Sequence, residues 1–179
     1  MSEFVISGLP GWISKSEKES RKASRLTLLG NARTWAGQPV VARVKIKAKG
    51  KNGDGDVNRV VVNRAMAASW TYKGNADKDT IIFGAQAGAI TKRTNSVIDF
   101  GNDKVRDTFA FTNNTRFHGP FNHMQRYVIR NFGKQDVVKL NNIGKTLRFK
   151  DLRSYGNGVY GFNGVPLDKL RITLTPDQA

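Results

Sequence analysis

The chain has 179 residues, and thirty Lys and Arg against fourteen Asp and Glu leave it at a formal charge of +16. With 39% apolar residues and ten Phe it has the material for a core, and a chain of this size can bury roughly 70% of the surface its unfolded form exposes. The absence of cysteine excludes disulfides, thiol catalysis and Cys-ligated zinc or iron–sulfur sites.

The chain opens on apolar Phe4, Val5 and Ile6, and the turn signal Gly8-Leu9-Pro10-Gly11 precedes Trp12 and Ile13. Ser14 with Glu17, and Ser16 with Glu19, match the capping-box pattern, which predicts a helix over 15–29 ending at Gly30. Residues 1–35 thus read as a partly helical basic segment of a single domain spanning 1–179. From Ala42 the chain alternates strictly. As a strand it places Ala42, Val44, Ile46 and Ala48 on one face and Arg43, Lys45, Lys47 and Lys49 on the other.

Asn52-Gly53 and Asp54-Gly55 are strong hairpin signals, so Arg59–Arg64 is expected to return as the partner of the basic strand. Further strands are predicted at Ala68–Lys73, Thr80–Gly84, Ser96–Phe100, Asp107–Thr112, Thr115–Phe117, Asp136–Leu140, Lys145–Leu152, Gly158–Phe162 and Lys169–Thr175. Between Gly119-Pro120 and Gly133, Phe121, Met124, Val128 and Phe132 form an apolar stripe at helical spacing. Arg126, Arg130 and Lys134 lie nearly opposite, which predicts a helix. No internal repeat stands out. The expected fold is mainly β: an antiparallel sandwich or barrel, jelly-roll-like in the limit, with one or two short helices.

The motifs exclude more than they assign. No GxxxxGK[ST], GxGxxG after a strand, HExxH or GxSxG occurs, which leaves nucleotide hydrolysis, dinucleotide chemistry, zinc proteolysis and lipase chemistry without support. Asn52, Asp54, Asp56 and Asn58 alternate like calcium ligands, but Asn63 stands where the bidentate Glu belongs; turn chemistry explains them, and no metal or cofactor is expected. His118 and His123 could serve as an acid–base pair for RNA cleavage. Phe109 and Phe111 share a strand face and read as core. Tyr155, Tyr160 and Trp70 are better placed as stacking candidates, though a structural role is the first reading for each.

What remains is charge. Four like charges in one strand face repel one another, and a polyanion relieves that repulsion. Arg43, Lys45, Lys47 and Lys49, with Arg126, Arg130 and Lys134 and with Arg148 and Lys150, are the expected nucleic-acid contacts. The function expected is a non-enzymatic binder of RNA or single-stranded DNA: a self-assembling viral or phage coat protein, hence a homo-oligomer. The alternatives are a non-assembling single-strand or ribosome-associated binder, and a ribonuclease using the two histidines. No basic region precedes an apolar run at the start and no apolar run approaches 20 residues, so neither a secretory signal nor a membrane span is expected; the location expected is virion or cytoplasm.

Overall fold

The computed structural model describes residues 4–20, 23–30, 42–49, 57–63, 68–75, 77–84, 93–111, 125–141 and 144–175. The strands run β1 (Phe4–Ser7), β2 (Ile13–Ser20), β3 (Ala23–Gly30), β4 (Ala42–Ala48), β5 (Val57–Asn63), β6 (Ala68–Lys73), β7 (Lys78–Phe83) and β8 (Thr94–Asp99). There follow β9 (Thr108–Phe111), β10 (Gln125–Phe132), β11 (Val137–Leu140), β12 (Lys145–Arg148), β13 (Leu152–Ser154), β14 (Tyr160–Phe162) and β15 (Leu170–Leu174). A 3₁₀ turn, Phe149–Asp151, separates β12 from β13.

The mainly-β expectation holds, but the pairing differs from the antiparallel one expected. Two mixed sheets form: sheet A in the order β1-β4-β6-β8-β10-β15-β14-β13, and sheet B in the order β12-β11-β9-β7-β5-β3-β2. From β3 to β11 successive strands alternate between the sheets. Each pairs in parallel with the strand two places on in the chain, as in a solenoid. Antiparallel pairing is confined to the ends: β1 on β4, β2 on β3, β12 on β11, and β13–β14–β15. The expected hairpin of the basic strand with 59–64 does not form, because β4 lies in sheet A and β5 in sheet B. Its turn, residues 50–56, lies outside the described residues.

Period-two alternation points one face of each strand inward, and both inner faces meet in one core. Trp70, Tyr72, Ile98, Tyr127, Ile129 and Ile172 come from sheet A, and Leu26, Leu28, Val60, Val62, Ile81, Phe83, Phe109 and Phe111 from sheet B. The Tyr127 ring ties the layers together, its centroid 5.1 Å from Phe83 and 5.5 Å from Phe109, in edge-on or tilted geometry. Phe109 and Phe111 are core, as read from the sequence.

Both predicted helices are strands where they are described. Ile13–Ser20 and Ala23–Gly30 pair antiparallel as β2 and β3, Leu26 and Leu28 turned fully inward. Lys and Glu along β2 suit an exposed sheet edge as well as a helix surface, which is why the capping pattern misled. The described half of the second helix is β10. Arg126, Val128 and Arg130 face outward, Tyr127 and Ile129 inward, and a bulge then returns Phe132 to the core. The bulge turns on Asn131, at φ 58°, whose side-chain amide donates to Asp99 Oδ1 at 2.7 Å.

The turns from sheet A to sheet B are stacked by acids. The Asp79 N–H donates to Asp107 Oδ1 (2.7 Å) and the Asp107 N–H to Asp136 Oδ1 (2.8 Å). Asp136 Oδ2 in turn accepts the Gly133 N–H (2.7 Å). At the near end Asp79 Oδ1 accepts from the Tyr72 hydroxyl (2.7 Å) and the Asn58 amide (3.2 Å). Asp107 and Asp136 thus each close the backbone of a neighbouring turn.

Candidate nucleic-acid interface

Strand register converts isolated basic residues into a surface. On the outer face of sheet A, Arg43 pairs with Ser69 and Arg126 with Asn95; the Asn95 N–H donates to Ser69 Oγ at 3.0 Å, which joins the two halves. The next row runs Ser7, Lys45, Thr71, Val97, Val128, Arg171, continuing to Gly161 and Arg153. The third runs Val5, Lys47, Lys73, Asp99, Arg130. Three strand spacings of ~4.8 Å put the Arg43 column ~14 Å from the Arg126 column.

Lys47 and Lys73 are direct neighbours of like sign, a destabilising pair in the absence of an anion. None of Arg43, Lys45, Lys47, Lys73, Arg130 or Arg171 forms an ion pair with a described residue. The carboxylate of Asp99 stands between Lys73 and Arg130 but is already accepting from the Gly101 N–H (2.9 Å) and the Asn131 amide. Two depressions mark the face. One of about 530 Å³ is lined by Arg43, Lys45, Ser69, Thr71, Arg93 and Asn95. The other, about 160 Å³, lies between Asn95, Arg126, Val128, Leu167, Asp168 and Arg171.

The predicted contacts are therefore brought together in part. Arg43, Lys45 and Lys47 share a face with Arg126 and Arg130, and Lys73, Arg93, Arg153 and Arg171 join them. Lys49 follows the end of β4 and is exposed. Lys134 lies in the turn from β10 to β11, off the face. Arg148 ends the edge strand of sheet B, and Lys150 sits in the 3₁₀ turn that leads from it to β13. Sheet B carries its own shorter row, Lys18–Arg25–Arg59, at the opposite edge. Of the stacking candidates, Trp70 is core at 2% exposure, Tyr160 packs partly against the core, and Tyr155 is 47% exposed. His118, His123, Asn52, Asp54 and Asp56 lie outside the described residues.

Sequence reasoning missed the buried acids. Burial pushes the Asp79 and Asp136 carboxyls up to about 7 and Asp107 up to about 10, with mutual repulsion reinforcing the effect at Asp107. Acceptor bonds to neighbouring turns account for Asp107 and Asp136 structurally, and Asp79 Oδ1 accepts from Tyr72 and Asn58, while Asp79 Oδ2 is buried without a hydrogen-bond partner among the described residues. Among the described residues no group of three or more His, Cys, Asp or Glu is placed to hold a metal. A signal for them existed: Asn58, Asp79, Asp107 and Asp136 each precede core residues at the second and fourth positions, but at uneven separations that hide the repeat. Among the described residues no helix is long and apolar enough to cross a membrane.

No protein-family model, curated protein or solved structure matches this chain.

Proposed function

We propose that the protein binds nucleic acid without chemistry, through the outer face of sheet A. The observation that carries this reading is the register itself: Arg43, Lys45, Lys47, Lys73, Arg126, Arg130 and Arg171 share one face, with Asp99 as the acid among them. A repeating anion relieves that repulsion over the whole surface, whereas a small anion would relieve it at one point. Hydroxyls and amides between the cations (Ser69, Thr71, Asn95) add hydrogen-bonding partners for phosphate oxygens without base-reading geometry.

Fluorescence anisotropy with labelled oligonucleotides tests it. With ~6–10 phosphate contacts the affinity drops by about 10³ or more between 50 and 200 mM salt; a flat response overturns the proposal. Reversing Arg43, Lys45 and Lys47 to Glu abolishes binding and leaves the far-ultraviolet spectrum unchanged, since all three side chains are exposed. Size-exclusion chromatography with bound polymer separates the two scales of this function. Large closed particles extend the proposal to a self-assembling coat, and a small complex confines it to a non-assembling binder.

A further inference from the structure

We infer that the nucleic acid taken by this face is single-stranded, and that one base stacks on the ring of Tyr155 while adjoining phosphates lie over Arg126 and Arg171. The inference rests on the reading proposed above and narrows its ligand. Tyr155 follows β13 on a short hydrogen-bonded turn. Its N–H donates to Val159 O (2.9 Å), the Val159 N–H donates to Gly156 O (3.0 Å), and Gly156, Asn157 and Gly158 all have positive φ. The ring lies over Gly161: a Cβ there would come 3.2 Å from Tyr155 Cε2 and 2.8 Å from Leu167 Cδ2. Tyr160 and Phe162, on either side of Gly161, point to the core, so the ring rests on the outer face of the sheet. At 47% exposure it still presents aromatic surface to solvent.

Cations flank this platform. Gly161 stands in register between Arg153 and Arg171. Both guanidinium groups are steered, Arg171 Nε donating to Leu167 O at 3.1 Å and Arg153 to Asn163 Oδ1 at 3.3 Å. Leu167 and Arg171 continue into the 160 Å³ depression with Arg126. There Arg126 Nε is buried with no hydrogen-bond partner among the described residues, a donor that an anion's oxygen would satisfy. Asp168 at the rim is 3.7 Å from Lys169, which offsets its charge toward an incoming phosphate. A duplex keeps its bases stacked on one another and offers this surface only phosphates. A single strand offers both phosphates and a free base face, and this platform suits both.

The test uses the full chain, a labelled 15-residue oligo-dT, an oligo-U of the same length and a 15-base-pair duplex, titrated by anisotropy at one low salt concentration. Wild type prefers the single strands. Tyr155→Ala and Tyr155→Leu weaken single-strand binding by about 5- to 150-fold, the range expected for one lost stacked base, and leave duplex binding unchanged. Tyr155→Phe binds as wild type does. The Leu variant keeps an apolar side chain against Gly161 and Leu167, so it separates stacking from packing if the Ala variant unfolds. Equal affinity of wild type for duplex and single strand overturns this inference alone, as does a Leu variant that binds dT normally. Wild type that binds none of the three probes overturns the proposed function with it.

Discussion

Replacing Asp107 with Asn probes how the turn stack depends on protons. Asp107 is 1% exposed, and its carboxyl is pushed up to about 10 by burial, then by the nearby Asp79, Asp136 and Asp103. In the unfolded chain the same group titrates at ~3.9. A folded-state value above the unfolded one means that folding retains a proton. The stability this confers is fully present below about pH 4 and is lost as pH rises towards 10. Each retained proton costs about 1.4 kcal/mol per pH unit, so Asp107 alone removes ~2.8 kcal/mol between pH 5.5 and 7.5. For a chain of this size that is a fall of roughly 6–11 °C in Tm. Asp79 and Asp136, each held at about 7, add loss over the lower part of the range. The carboxamide of the Asp107→Asn variant keeps an oxygen able to accept the Asp79 N–H and has no proton to lose. Urea unfolding at pH 5.5 and 7.5 reads the difference in slope between wild type and variant, from which the chain-wide effect of the +16 charge cancels. A variant that keeps the wild-type slope refutes the reasoning.

Other positions give sharper yes-or-no outcomes. Gly8, at φ 79°, brings its Cα against β4, where an added Cβ would collide with the Arg43 carbonyl oxygen. Gly8→Ala therefore destabilises by about 2 kcal/mol or more in denaturant titration, through left-handed strain and the clash together. A neutral result would show that β1 can detach from β4 at little cost. Phe109 is fully buried beside Phe83, 5.7 Å away, and Tyr127, 5.5 Å away, so Phe109→Ala costs about 3–5 kcal/mol in the same assay. A loss under about 1 kcal/mol would mean that the two sheets are not held together there.

Much of this molecule was legible in the residue order. Strand and turn signals identified β4, β6, β8, β11 and β15 to within about two residues, and alternation gave the inward face of β4 and of Phe109 and Phe111 on β9, because a strand has a side-chain period of two wherever it sits. Alternation also placed Arg43, Lys45 and Lys47 outward on one strand. The pairing was not legible. Val44 and Ile46 on β4 bury equally well beside or across from Val60 and Val62 on β5, since both arrangements satisfy the same period. Only the tertiary structure chose opposite layers, stacking Asp79, Asp107 and Asp136 into the turns and pairing each strand in parallel with the next but one. That choice brings Arg126 and Arg130 onto the face of Arg43 and Lys45, far apart in sequence, and sends Arg148 to the other sheet. It also hid β10, because one left-handed residue, Asn131, shifts the alternation and imitates the spacing of a helix.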